Sequence, residues 1–259
     1  MKKLSVVLAT FNEEENLPRC LDSIKDLANE IVIVDGSSKD KTTEIAKSYG
    51  AKITVTTNPP IFHINKQKAI EKATGDWTLQ LDADEVVSEG LATEIKSIIS
   101  DQDSDINGYW MARKNFFLGR FLMKGGQYPD YTVRLYRKGK GMLPQKDVHE
   151  QAIIEGKMGY LKEALLHYPY KNFNSYVNKW MRYNHLLAGQ IADDLKKKSF
   201  SMKIYYGFAY MLAKPAHWMV TAYGRHKGFY DSWQGLVFAI MSALRFPVSY
   251  ILYLQHKYD

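Results

Sequence analysis

The 259-residue chain has one cysteine, Cys20. A single thiol excludes an internal disulfide and any metal cluster built on thiolates. Cys20 falls among apolar residues at helical spacing, so an inert, buried thiol is expected. No secretory leader is expected either, because "MKKLSVVLATFNEEEN" turns acidic after a short apolar stretch. That predicts a reducing, cytoplasmic setting. Internal repeats and low-complexity linkers are missing. The apolar run "GLVFAIMSALRFPVSYILYL" (235–254) is interrupted by Arg245 and Pro247. Neither half reaches the ~18 residues wanted for a membrane span, and an arginine at mid-bilayer costs on the order of 3 kcal/mol. What is present, 46% hydrophobic residues, suffices for one domain core plus an appendage.

The net charge of +7 is unevenly placed. Residues 1–170 carry 23 Lys and Arg against 24 Asp and Glu, a balance of −1, whereas residues 171–259 carry 12 against 4, a balance of +8. A basic tail fits an anionic surface, nucleic acid or membrane. The tail's Tyr, Phe, Trp and Met content favours membrane over nucleic acid.

"KLSVVLAT", "EIVIVDGS", "AKITVTT" and "DWTLQLDAD" read as strands, separated by helical segments with Leu17, Leu21, Ile24 and Leu27 on the first. This alternation predicts a parallel α/β sheet covered on both faces, whose ligands gather at the carboxyl ends of the strands. Those ends read Thr10-Phe11-Asn12, Asp35-Gly36-Ser37 and Asp82-Ala83-Asp84. All three are polar, and they share one edge. Residues 108–170 hold short β-prone pieces, and from 173 onward the pattern is helical. There Tyr176, Trp180, Tyr183, Leu187, Ile191 and Leu195 form one stripe, ending near Lys196-Lys197-Lys198. The lysine triplet either complements a helix C-terminus in solvent or belongs to the basic surface.

Asp-x-Asp at a strand end suits a hard divalent cation with oxygen ligands, magnesium or manganese, bridging to a diphosphate. The plainer account is that the acids cap a helix starting near Ser88. Their alignment with Asp35 and Asn12 favours the cation.

The ordered motifs "VVLATFNEEENLPRCLDSI", "EIVIVDGSSKDKT" and "ATGDWTLQLDADE" resemble the nucleotide-sugar-binding half of the family-2 glycosyltransferases, over residue 4 to about 170. Within that family, "RLYRKG…VHE…H" is similar to the bacterial enzymes that add sugars to lipopolysaccharide core. The resemblance implies a GT-A-type Rossmann-like fold over 1–170 with a helical extension over 171–259. It also implies a nucleotide diphosphosugar donor, usually of uridine, a divalent metal and inversion at the anomeric carbon.

Carried over by position, Thr10, Asn12 and Glu13 line the nucleotide site, and Asp35 meets the base or ribose; its other reading is a turn residue in "DGSS". Asp82 faces ribose or metal-bound water, Asp84 binds the metal, and Glu85 is a helix-start residue. One of Lys66, Gln67 and Lys68 reaches the diphosphate, with Lys68 favoured, unless the run is a solvated helix face. Arg134 stabilises the diphosphate or braces the base. That base, needed to take the acceptor hydroxyl's proton, is Glu150 by resemblance, with Asp147 as runner-up and His149 orienting either. His167 is a third metal ligand or a packed side chain.

The acceptor implied is a lipid-linked glycan, with the tail either lying at the inner membrane face or forming a helical subdomain or homodimer contact. Two other activities stand beside transfer to a glycan. One is charging polyprenyl phosphate with a sugar, which needs no strong base; the other is non-catalytic nucleotide-sugar or lipid binding. A nucleotidyltransferase is disfavoured by the lack of a Gly-rich loop after the first strand.

Overall fold

A computed structural model describes residues 2–145 and 151–255. The first half alternates as the sequence predicts: β1 (Leu4–Thr10), α1 (Leu17–Ile24), β2 (Glu30–Asp35), α2 (Thr42–Ser48), β3 (Lys52–Val55), α3 (His63–Lys72) and β4 (Trp77–Leu81). α1 carries a proline in its first turn, where a missing N–H costs no helical bond. Its stripe Leu17, Cys20, Leu21 and Ile24 is wholly buried. Burial pushes the Cys20 thiol well above its usual value, as expected of an inert core thiol.

Next come β5 (Glu85–Val86), α4 (Glu89–Ser100), β6 (Ile106–Phe117), β7 (Arg120–Leu122), β8 (Asp130–Arg137), β9 (Gly141–Met142), β10 (Ile153–Ile154), β11 (Lys157–Tyr160) and β12 (Leu165–His167). The main sheet runs β3-β2-β1-β4-β8-β6-β12-β5. Its first four strands are parallel, and β8 joins β4 antiparallel. Register places Thr10 opposite Asp35 and Leu8 opposite Leu81, so β1 and β2 end level and β4 ends two residues earlier at the same edge, where Asp82 follows. The apolar faces of β1, β2 and β4 are filled by α1 and α4, through Leu21, Ile24, Leu91 and Ile95.

Two compact units divide the chain, Met1–Lys114 with Asp130–His167, and Asn115–Pro129 with Tyr168–Asp259. In the first, Glu30 ties three segments together. Its carboxylate accepts from Lys52 Nζ at 2.6 Å, Thr74 N at 2.8 Å, Thr74 Oγ1 at 2.9 Å and the Ser5 hydroxyl. Burial alone would raise its carboxyl, but these donors hold it down at about 2, against a usual 4.5. A depressed folded-state value stabilises above the unfolded value, and the gain is lost as pH falls toward the folded one. Glu30→Gln is therefore expected to cost about 1 kcal/mol at neutral pH, after discounting for solvent screening at the exposed partner Lys52. The deficit should shrink to nothing toward pH 2, as read from urea midpoints.

The second unit holds α5 (Phe173–Leu195), α6 (Phe200–Phe208), α7 (Lys214–Met219) and α8 (Ser232–Gln255), with wide helical turns between α6 and α7 and after α7. α5 opens on a capping box in which Asn172 and Ser175 satisfy each other's backbone N–H. Tyr176, Ile191 and Leu195 are buried as the stripe predicts, but Tyr183 is exposed and its neighbour Asn184 is buried instead. Ser249 Oγ of α8 donates to the Asn184 side chain at 3.3 Å, a polar pair that redirects the stripe. The expectation that Arg245 and Pro247 divide the last apolar run is corrected. α8 continues through both, and Gly228–Gln255 is long and apolar enough to cross a membrane by length and composition, with 39% of its most apolar window buried. Contacts with α5 support the helix past the bond lost at Pro247, including Trp180 Nε1 to Met241 O at 2.9 Å. Asp231, buried, accepts from Met123 N at 3.0 Å and Lys124 N at 2.7 Å, which fastens the 115–129 excursion to this unit.

Candidate active site

The loops after β1 and β2 are joined through Asp35. One carboxylate oxygen accepts from Thr10 Oγ1 at 2.8 Å and Ser38 Oγ at 2.6 Å, and the other from Ser38 N at 2.8 Å. Ser38 Oγ accepts in turn from Asn12 N at 2.8 Å, while Asn12 Oδ1 accepts from Lys39 N at 2.9 Å. Glu13 N donates to Thr42 Oγ1 at 2.7 Å. Asn12 adopts a left-handed backbone, φ 55°, a conformation that asparagine tolerates better than most residues. The turn bonding anticipated for Asp35 is thus present, and it braces the edge where Thr10, Asn12 and Glu13 lie.

After β4 the acids separate into two groups. Asp82 pairs with Lys66 through one oxygen and with Arg134 Nη2 at 2.8 Å through the other. Glu85, fully buried, accepts from the same Arg134 Nη2 at 2.7 Å, lies 3.4 Å from Arg113 Nη1, and takes the Asp82 backbone N–H at 2.9 Å. Arg113 closes the row on Asp130 at 2.8 Å. Burial would raise the Asp82 carboxyl, yet Lys66 and Arg134 hold it well below the usual carboxylate range. Burial pulls the Lys66 ammonium down, with Asp82 opposing.

Two expectations fail here. Lys66 is no solvated residue: it lies on the buried face of α3 with Asn65 and Ala69. Glu85 starts no helix, because Ser88 caps α4 by accepting from Leu91 N at 3.2 Å. The row of charges explains both, since each buried ion has a partner. Lys68 stays on the loop side, 3.4 Å from Thr56 Oγ1 and 3.5 Å from Asn65 Oδ1. Arg113 was not singled out in the sequence, where nothing in its strand pattern marks it. Arg134→Met is expected to lower stability by about 3–5 kcal/mol, by removing the shorter of two guanidinium contacts to the buried Glu85 and one of the two cations paired with Asp82. A urea-derived loss below ~1 kcal/mol would remove Arg134 as their counter-ion.

Asp84 stands apart from this row. β12 pairs antiparallel with β5, His167 opposite Glu85, and this register brings His167 Nε2 to 3.3 Å from Asp84 Oδ2. A carboxylate and an imidazole at one strand end fit a divalent cation of the magnesium or manganese kind. Both Asp82 oxygens are already paired, which leaves Asp84 and His167 as the fitting ligands; among the described residues no group of three His, Cys, Asp or Glu converges. Beside Asp82 lies a cavity of about 200 Å³, whose walls include Lys66, Gln80, Arg113, Arg134 and Gln151. Arg134 Nε and Gln80 Oε1 are buried and have no hydrogen-bond partner among the described residues, one donor and one acceptor. Such a pair suits a hydroxylated ligand. Asp147, His149 and Glu150 lie outside the described residues; Leu143 and Gln151, which precede and follow them, line the cavity.

Comparison with known proteins bears on the family and the fold. The chain is 29% identical over 256 residues to the lipopolysaccharide core biosynthesis glycosyltransferase LpsC of Rhizobium meliloti, covering 93% of this chain and 91% of that one. It is 27% identical over 254 residues to an uncharacterized glycosyltransferase of Rickettsia typhi, with 94% and 84% covered. A solved mannosyltransferase of Pyrobaculum calidifontis, in complex with GDP-Man and Mn2+, shares the fold at a TM-score of 0.55 and 14% identity, over 98% of this chain and 87% of that one. The fold is accordingly of the GT-A type, with a C-terminal helical region. Residues 5–168 match the profile of glycosyl transferase family 2, the same stretch that supplies every strand end described above, and the chain belongs to that family.

Proposed function

We propose that the protein moves a sugar, with inversion and with a divalent cation, from a uridine diphosphate sugar to a hydroxyl of a lipopolysaccharide-type or other lipid-linked glycan. The reaction would take place at the cytoplasmic face of the cell membrane, with the protein bound peripherally. One observation carries the reading: Asp84 and His167, 83 positions apart in the chain, meet at 3.3 Å on the ligand-binding edge of the sheet.

Asp84 and His167 would hold magnesium or manganese, which when bound neutralises charge on the departing diphosphate. The nucleotide lies along the ends of β1 and β2, against Asn12 and Glu13, on an edge that the buried Thr10–Asp35 bond braces from inside, and Lys68 lies on the diphosphate side. The sugar occupies the cavity beyond Asp82, where Arg134 Nε donates to one hydroxyl and Gln80 Oε1 accepts from another. Lys66 and Arg134 keep Asp82 ionised and fixed, so it orients the sugar without rearranging during the reaction. Glu150 takes the acceptor's proton on the face opposite the leaving group, from a segment whose neighbours Leu143 and Gln151 line that cavity. The likeness to a lipopolysaccharide core transferase over nine-tenths of both chains supports the acceptor class.

The test is thermal unfolding against uridine and guanosine diphosphate sugars, with and without manganese. A uridine donor at about 100 times its Kd should add ~2.7 kcal/mol, and only with metal present. Stabilisation by a guanosine donor alone would reassign the base. No shift with any donor would reject the reading.

A further inference from the structure

We infer that α6 and the turn after it form a docking surface for an anionic lipid bilayer. α6 buries none of its residues. Phe200, Ile204, Phe208 and Leu212 recur every fourth position, hence on one helix face, and are 78%, 60%, 58% and 61% exposed. This is no ordinary surface helix with a polar outer side. Its other side is already occupied, because Tyr206, Ala209 and Tyr210 pack with Phe246, Tyr250, Ile191 and Leu195 of the same unit. The helix therefore has two apolar faces, and the unit fills one of them.

Charge selects the occupant. Lys196, Lys197 and Lys198 immediately precede the face and are exposed, Lys203 is exposed on α6, and Lys214 is half-buried with its ammonium over the Tyr210 ring on the core side. Among these five, in the described residues, only Lys196 lies near a carboxylate, Asp193 at 3.8 Å. Residues 171–259 carry a balance of +8. A second copy of the chain would bring the same basic rim against this one, since a two-fold contact pairs like with like. An anionic headgroup layer neutralises the rim while aromatic and aliphatic side chains enter the acyl boundary. α8, the other apolar helix, places Phe246 and Tyr250 in the unit's core and is joined to α5 by the Asn184–Ser249 pair, so docking is in-plane.

The inference deepens the location given under the proposed function and is independent of its chemistry. The test is flotation of the full chain with phosphatidylcholine vesicles, with and without phosphatidylglycerol, at low and high salt. Binding is expected only with phosphatidylglycerol, and weaker by about tenfold or more in high salt. The triple variant Phe200→Ser, Ile204→Ser, Phe208→Ser should lose binding by roughly a hundredfold with an unchanged thermal midpoint, as these side chains support no core. The double variant Lys197→Glu, Lys198→Glu, in full solvent, should weaken binding by about tenfold. Transfer to a delipidated, soluble acceptor should be unaltered in both, so a failed transferase assignment and a failed docking surface give different results. Full binding by both variants would overturn the inference. A dimer that the triple variant dissolves would give the face to a second copy. Resistance of the wild-type chain to carbonate extraction would replace docking with a span.

Discussion

Asp84→Ala is expected to abolish transfer, by on the order of 10³-fold or more, and to remove the manganese dependence of donor binding. Asp84 takes no part in the Lys66–Asp82–Arg134–Glu85 row, so the fold should survive, with unchanged circular dichroism. Its carboxylate and the His167 imidazole present an oxygen and a nitrogen to one point. His167→Ala should lower turnover in the same direction and raise the manganese concentration needed for half-maximal rate. The isosteric Asp84→Asn guards against a packing artefact, since it keeps size and drops charge. Undiminished turnover in folded Asp84→Asn would remove the metal from this position.

Glu150→Gln should keep donor binding and lose turnover by roughly 10²–10⁴-fold, the usual worth of a positioned base. The acid limb of the pH profile of kcat/KM should flatten with it, because glutamine cannot take the acceptor's proton. A variant that stays active while Asp147→Asn fails moves the base to Asp147. If both remain active, the acceptor needs no base, as with a phosphate, and polyprenyl-phosphate glycosylation becomes the better assignment. Donor binding lost together with turnover would instead place Glu150 among the donor contacts.

The strand ends were legible because period-two and continuous apolar runs fix β1, β2 and β4, and because Thr10, Asp35 and Asp82 follow those runs immediately. The roles of Lys66 and Glu85 were not. Residue type argues for solvent in both cases, and only position argues otherwise. Lys66 sits three before Ala69 and seven before Ala73, on the face of α3 turned to the core. That signal is in the sequence as spacing, which at this position opposes the preference of a lysine for solvent. Glu85 required knowledge of Arg134 and Arg113, 49 and 28 residues away, which local pattern does not carry. Pro247 misled for a related reason: the cost of a proline inside a helix is local, whereas the contacts that offset it come from α5.

The fastening of Asp231 to the amides of Met123 and Lys124 bears on how the chain is made. These partners are 108 and 107 residues apart. At about 5–20 residues per second, a ribosome needs roughly 5–20 s to deliver Asp231 after residue 123. During that interval the 115–129 excursion has its own β6–β7 hairpin but not the carboxylate that caps its amides. Phe116 and Phe121 then wait for Tyr168, and Phe117 and Leu122 for Tyr176 and Phe238 on helices not yet synthesised. The nascent chain thus passes through a window in which an aromatic hairpin is exposed, and slower translation of residues 173–231 would lengthen it. A fragment ending before Asp231 never leaves that window, and such a truncation should accumulate with chaperones or in aggregates rather than as a folded half.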